Sequence, residues 1–120
     1  SQYNCLIFLQ DYLVGGTGLA LQDNDIYELG YWVGEEHWGQ GIATEASRAM
    51  LSFGFNKLKQ TRIEACYLDG NDASARVLKK LGFVNLGETM RFCKSHNREM
   101  KDYLMYLEPE RFQNPSYNLQ

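Results

Sequence analysis

The sequence predicts an α/β domain, and three observations carry that expectation. Segments rich in β-branched and aromatic residues recur along the chain between polar breaks, as strands do. Two other stretches repeat apolar residues every three or four positions, the period of a helix. Between the strand-like Ile26-Tyr27-Glu28-Leu29-Gly30-Tyr31-Trp32-Val33 and the first helical stretch stands Trp38-Gly39-Gln40-Gly41-Ile42-Ala43-Thr44-Glu45, a Gly-x-Gly at a strand-to-helix junction. At 120 residues, 44% hydrophobic and 13% aromatic, the chain can build one core but hardly two.

Taken in order, strands are expected near residues 4–9, 12–21 and 26–34, with the polar Gln22-Asp23-Asn24-Asp25 breaking the second from the third. A helix over 42–58 follows, with Ala46, Ala49, Met50 and Phe53 spaced to face the sheet. A strand near 62–68 leads to a helix over 72–81. Asn71 or Asp72 can cap that helix, Val77, Leu78 and Leu81 form its apolar stripe, and Gly82 can end it in the left-handed conformation. Strands near 83–92 and 100–107 flank the polar Lys94-Ser95-His96-Asn97, and the phenylalanines and tyrosines along these elements read as core packing. The domain is expected to occupy residues 1–112, and the tail 113–120 lacks periodicity.

Glycines at the mouth of a helix leave backbone N–H groups bare, and the helix dipole adds partial positive charge, so a pyrophosphate can sit there without a basic side chain. From the glycines alone, a plain tight turn at Gly39 and Gly41 is an equal reading. Gly34 to Gly41 has the glycine spacing of a P-loop, but Gln40 and Gly41 stand where the lysine and Ser/Thr belong, which argues against a nucleotide triphosphatase. Gly16-Thr17-Gly18 opens no helix and lacks the third glycine of a dinucleotide fingerprint; it reads as a hairpin turn.

A formal net charge of −3 argues against nonspecific nucleic-acid binding and mildly favours a cationic partner. No apolar run approaches the ~20 residues that span a bilayer, and no signal peptide is expected ahead of the first strand. Cys5, Cys66 and Cys93 form no CxxC pair and read as reduced, mostly buried small side chains of a cytoplasmic protein. Two histidines, His37 and His96, far apart, suggest no metal site.

Glu28 to Val33, Trp38 to Ala46, Arg62 to Ala65, Asn71 to Phe83 and Lys101-Asp102-Tyr103 follow one another in an order and spacing that resembles the GNAT N-acetyltransferase superfamily, specifically its RimJ/RimL-like branch of ribosomal-protein N-terminal acetyltransferases. The resemblance covers residues 13–112. Trp38, where most of the superfamily has Arg or Gln, is typical of the branch. The resemblance implies a GNAT fold: a twisted, mixed, mostly antiparallel sheet with helices on both faces. It also implies that the chain, which opens on Ser1-Gln2, starts in the family's second strand and lacks the family's N-terminal strand and helices, which usually build one wall of the acceptor site. A fragment, a short variant, or a chain that borrows the wall from a partner, as in a homodimer, would each account for that.

What the resemblance implies for chemistry is acyl transfer from acetyl-CoA to a primary amine. The implied acceptor is a protein N-terminus, with a small-molecule amine such as an aminoglycoside or polyamine, or a noncatalytic CoA-binding module, as alternatives. Trp32, Val33 and Gly34 would lie along the pantetheine arm, and Trp38, Gly39, Gln40, Gly41, Ile42, Ala43 and Thr44 around the pyrophosphate. Asn71 matches the family asparagine that reaches the pantetheine, and serves equally as a helix N-cap. The position of the usual general-acid tyrosine, seven residues later, is Leu78, so that route is closed; in the branch a serine takes the role, here Ser74, which can also be a small residue chosen for close approach. Glu28, sharing a strand face with Gly30, Trp32 and Gly34, stands where the superfamily often has the base. Its plain alternative is an exposed strand residue paired with a lysine or arginine, and Glu88 and Glu99 are further candidates.

Overall fold

The structure, a computed structural model, describes residues 2–112; Ser1 and the expected tail 113–120 lie outside the described residues. β1 (Gln2–Leu9), β2 (Tyr12–Leu21) and β3 (Tyr27–Val33) form an antiparallel meander. A short 3-10 turn, Glu35–His37, then leads into α1 (Ile42–Asn56), which crosses to β4 (Ile63–Leu68), parallel to β3. After α2 (Asp72–Leu81) the chain pairs β5 (Val84–Cys93) with β6 (Arg98–Leu107), and β6 inserts between β5 and β4. The sheet order is β1-β2-β3-β4-β6-β5, mixed and mostly antiparallel. No helix among the described residues is long and apolar enough to cross a membrane.

The register places Leu19 opposite Leu29, Tyr27 beside Ile63, Ile63 beside Leu107 and Ala65 beside Met105, so one sheet face carries a continuous apolar surface. Met50, Leu51 and Phe55 of α1 and Leu78 and Leu81 of α2 close over it as one core. Fully burying each such side chain stabilises the fold by about 1.5–3 kcal/mol.

Three expectations need correction. Among the described residues both helices lie on this one face, and α1 also packs on α2. The opposite face, with Glu28, Trp32, Glu64, Cys66 and Asp102, has no helix over it. Second, the α1 stripe is wider than expected: Met50 is buried and Ala46, Ala49 and Phe53 do face the sheet, over β1, but Ser47, Leu51 and Gly54 are buried as well, Gly54 sitting over Ile63 and Leu19. The helix rests mainly on β2 and β3, which widens the stripe. Third, Gly16-Thr17-Gly18 is no turn but the middle of β2. Gly16 pairs with Trp32, and a Cβ there would meet the Trp32 indole nitrogen at 2.6 Å, so the glycine makes room for the tryptophan across the strand.

Candidate active site

β3 and β4 pair at only two positions, Tyr27 with Ile63 and Glu28 with Glu64. Beyond them the strands part. Residues 29–33 run on beside β2 alone, and residues 65–68 beside β6 alone. Both strands then feed helices, so the N-termini of α1 and α2 stand at the carboxyl end of the parting, where open α/β sheets hold ligands.

The α1 side of this cleft is a loop of bare amides. Gly39 and Gly41 have φ of 80° and 77°, and a side chain at either would meet nothing within 4 Å, so the loop is open. Gly41 caps α1 without a side-chain bond, and the first intrahelical bond is Glu45 N–H to the Gly41 carbonyl at 3.0 Å. The N–H groups of Ile42, Ala43 and Thr44 therefore lack intrahelical acceptors. Gln40 is exposed and Thr44 buried. Trp38 donates its indole N–H to the Val33 carbonyl at 2.7 Å, pinning the loop to the end of β3. Gly34 is also committed: its N–H bonds the Val14 carbonyl at 2.8 Å, and its carbonyl accepts from His37 N–H at 2.9 Å. Trp32 lies on the helix-free face, half-exposed, over Gly16.

The α2 side is fixed by Asn71. Its Oδ1 accepts from Ser74 N–H at 3.2 Å, so the helix-cap role is filled. Leu78, in the family's tyrosine position, is fully buried in the core. A phenol nevertheless reaches this corner from elsewhere: the Tyr31 hydroxyl stands 2.8 Å from Ser74 Oγ and donates to the Ser74 carbonyl at 3.3 Å. Burial pushes the Tyr31 pKa up, with the Ser74 bond partly opposing it. The core packing expected of the sheet tyrosines holds for Tyr31, which packs against the core, but its hydroxyl contact with Ser74 goes beyond that expectation. The available signal was its place on β3, three residues after Glu28 and past the parting; a partner 43 positions away left no local trace.

Glu28 sits on the helix-free face across from Glu64. Its neighbour is the Cys66 thiol: burial first, then the nearby Glu28 carboxylate as acceptor and as charge, push the thiol up to about 12. No ion pair to Glu28 occurs among the described residues, whereas Glu64 is buried against Arg62 at 3.4 Å and Gln22 at 3.0 Å. Glu88, on the edge strand, pairs with Lys101 at 3.9 Å, and Glu99 is exposed on β6. The structure thus places Glu28 at the last β3–β4 pair, on the helix-free face, and Ser74 in the first turn of α2, beside Tyr31, and leaves Glu88 and Glu99 on the β5–β6 hairpin. Cys5 is exposed and Cys66 and Cys93 are half-buried, so the cysteines are less buried than expected, though all three are free. No cluster of three or more His, Cys, Asp or Glu side chains among the described residues is arranged to hold a metal.

The family model for the acetyltransferase (GNAT) domain matches residues 1–84. An uncharacterized N-acetyltransferase, p20, of Bacillus licheniformis is 30% identical over 109 residues, covering 89% of this chain and 61% of that protein. Among solved structures, a probable acetyltransferase superposes with a TM-score of 0.84 at 25% identity, covering 92% of this chain and 64% of its own. Mycobacterium smegmatis RimJ in complex with CoA-disulfide superposes with a TM-score of 0.82 at 28% identity, over 98% of this chain and 58% of that one. The chain thus spans about three fifths of the length of these relatives.

Proposed function

The chain belongs to the GNAT acetyltransferase family, and from that premise we propose that it holds acetyl-CoA in the β3–β4 cleft and transfers the acetyl group to a primary amine. The observation that carries the reading is the parting itself: two strands separate after two residue pairs, and two helix N-termini face the gap. Residues 29–33, Trp32 and Val33 among them, lie along the pantetheine arm, and the amides from Gly39 to Thr44 take the pyrophosphate. The acceptor approaches from the helix-free face. There Glu28 removes a proton from the ammonium, directly or through water, and the free amine attacks the thioester carbonyl. Ser74, in the first turn of α2, faces the departing sulfur. The C–N bond forms, the C–S bond breaks, and the thiolate takes a proton to leave as CoA thiol.

A protein N-terminus is the acceptor we favour, on the resemblance of Trp38 to Ala46 and Asn71 to Phe83 to the RimJ/RimL branch. Three free cysteines suit a reducing compartment, hence the cytoplasm. The test is acetyl transfer from acetyl-CoA to short peptides with free or blocked N-termini, set against a polyamine and an aminoglycoside. Acetylation confined to free N-termini is the expected result. Transfer only to the small amines would replace the acceptor, and CoA binding with no transfer to any amine would leave a binding module.

A further inference from the structure

We infer that the Tyr31 phenol is the proton donor behind Ser74, so that the two hydroxyls form a short relay to the leaving sulfur. The inference rests on the reading of Ser74 as the group facing that sulfur, and adds what a lone serine lacks. A serine hydroxyl is a poor acid. A phenol directly behind it supplies a proton as the serine releases its own.

The geometry is specific. At Tyr31, β3 is paired with β2 alone, at Thr17, and has already left β4, so the ring, packed against the edge of the core, has no β4 neighbour between its hydroxyl and α2. Its oxygen lies 2.8 Å from Ser74 Oγ, where either atom can be the donor, and 3.3 Å from the Ser74 carbonyl, a second and longer acceptor from which the phenol proton turns to Oγ when the relay runs. Asn71 holds the Ser74 backbone N–H at 3.2 Å, which fixes where the serine Cβ can point. With Leu78 sealed in the core, Tyr31 brings a phenol to the α2 N-terminus from a different strand, on the same side of the sheet as both helices. Burial keeps the phenol protonated at neutral pH, which makes it a donor at rest and disfavours a lasting phenolate. The protons therefore shift together: as the C–S bond breaks, sulfur takes the Ser74 Oγ proton and Ser74 Oγ takes the Tyr31 proton. Tyr31 recovers the proton that the acceptor nitrogen sheds on forming the amide, carried by water. No net proton is consumed.

The experiment compares Tyr31→Phe, Ser74→Ala and the double variant in steady-state turnover, with CoA affinity by calorimetry and melting temperature as controls. Each single change is expected to lower kcat roughly 10-fold or more with CoA affinity unaltered, and the double variant to be no slower than the slower single one. Turnover in H2O/D2O mixtures adds a readout that packing does not move: a bowed dependence on deuterium fraction in the parent enzyme, linear in Tyr31→Phe. Should Tyr31→Phe lower the melting temperature, 3-fluorotyrosine at position 31 keeps the ring and its contacts while making the phenol more acidic, and the relay requires kcat to change. Normal turnover of Ser74→Ala refutes the reading of Ser74 itself. Slow Ser74→Ala with normal Tyr31→Phe, or additive losses with an unchanged isotope dependence, overturns the relay and leaves Ser74 in place.

Discussion

At Cys66 the side chain tests the geometry around Glu28 without any assay of activity. The thiol is pushed up to about 12, from an ordinary value near 9, by burial first and by the nearby Glu28 carboxylate next. In a Cys5→Ser/Cys93→Ser background, alkylation of Cys66 near pH 8 is expected to run about 10³-fold slower than that of a free thiol, since only the thiolate reacts. Glu28→Gln removes the negative charge and should speed the reaction; an unchanged rate would mean that the carboxylate is not on the thiol. The pH sense follows from the same shift. A folded value above the unfolded one favours the fold while the thiol keeps its proton, so that contribution is intact below pH 9 and fades as pH rises toward 12. Cys66→Ala should flatten that alkaline loss. The catalytic counterpart is that Glu28→Gln lowers kcat on the order of 10²-fold and leaves CoA affinity alone, measured by turnover and calorimetry. Normal turnover would pass the base role to another group. Among single residues, the Asn71 cap was legible because capping grammar is local. The Tyr31–Ser74 contact and the setting of Cys66 beside Glu28 were not, because they exist only once β3, β4 and α2 are brought together.

The loop before α1 and the first turn of α2 carry the next tests. Gly41 sits at φ 77° with open space beside it. A valine there costs about 1–2 kcal/mol in backbone strain and covers the bare amides. Gly41→Val is therefore expected to keep the fold, checked by circular dichroism, and to lose CoA binding, checked by calorimetry; a folded variant with unaltered affinity would remove the pyrophosphate from this loop. Asn71→Ala should cost about 1 kcal/mol of stability through the lost bond to Ser74 N–H, while Asn71→Asp keeps a cap. Weakened CoA binding in the aspartate variant would assign Asn71 a cofactor contact beyond its cap. The elements themselves were largely readable: β2 and α2 fall on their expected ranges, and the others shift at their ends by only a residue or two. Failures came where a neighbour decides. Gly16 looks like turn chemistry until Trp32 lies over it, and the α1 stripe widens to Ser47, Leu51 and Gly54 because the helix settles on β2 and β3. The parting of β3 from β4 is not readable from the residues themselves, for no alternation within one strand says where its neighbour leaves it.

At the scale of the molecule, helices among the described residues cover one face of the sheet and not the other, and its β1 edge carries apolar side chains. Leu6 is 62% and Phe8 59% exposed on β1, and Leu6 pairs with Gly16, which pairs with Trp32, itself 52% exposed. That row crosses three strands of the helix-free face. β1 is an edge strand eight residues long, so one side of its backbone has no ladder partner among the described residues. A long apolar edge of this kind invites strand addition, and the simplest closed solution for identical chains is a symmetric pair that buries the same edge twice. The 120-residue chain is accordingly expected to associate at tens of micromolar, read by light scattering, and to dissociate on dilution. A lysine on an edge strand opposes such pairing. Leu6→Lys with Phe8→Lys should therefore give a monomer that melts near the parent temperature, because neither side chain belongs to the buried core. A parent chain that stays monodisperse and monomeric across that range, or a lysine variant that associates as before, would show that β1 is not the contact.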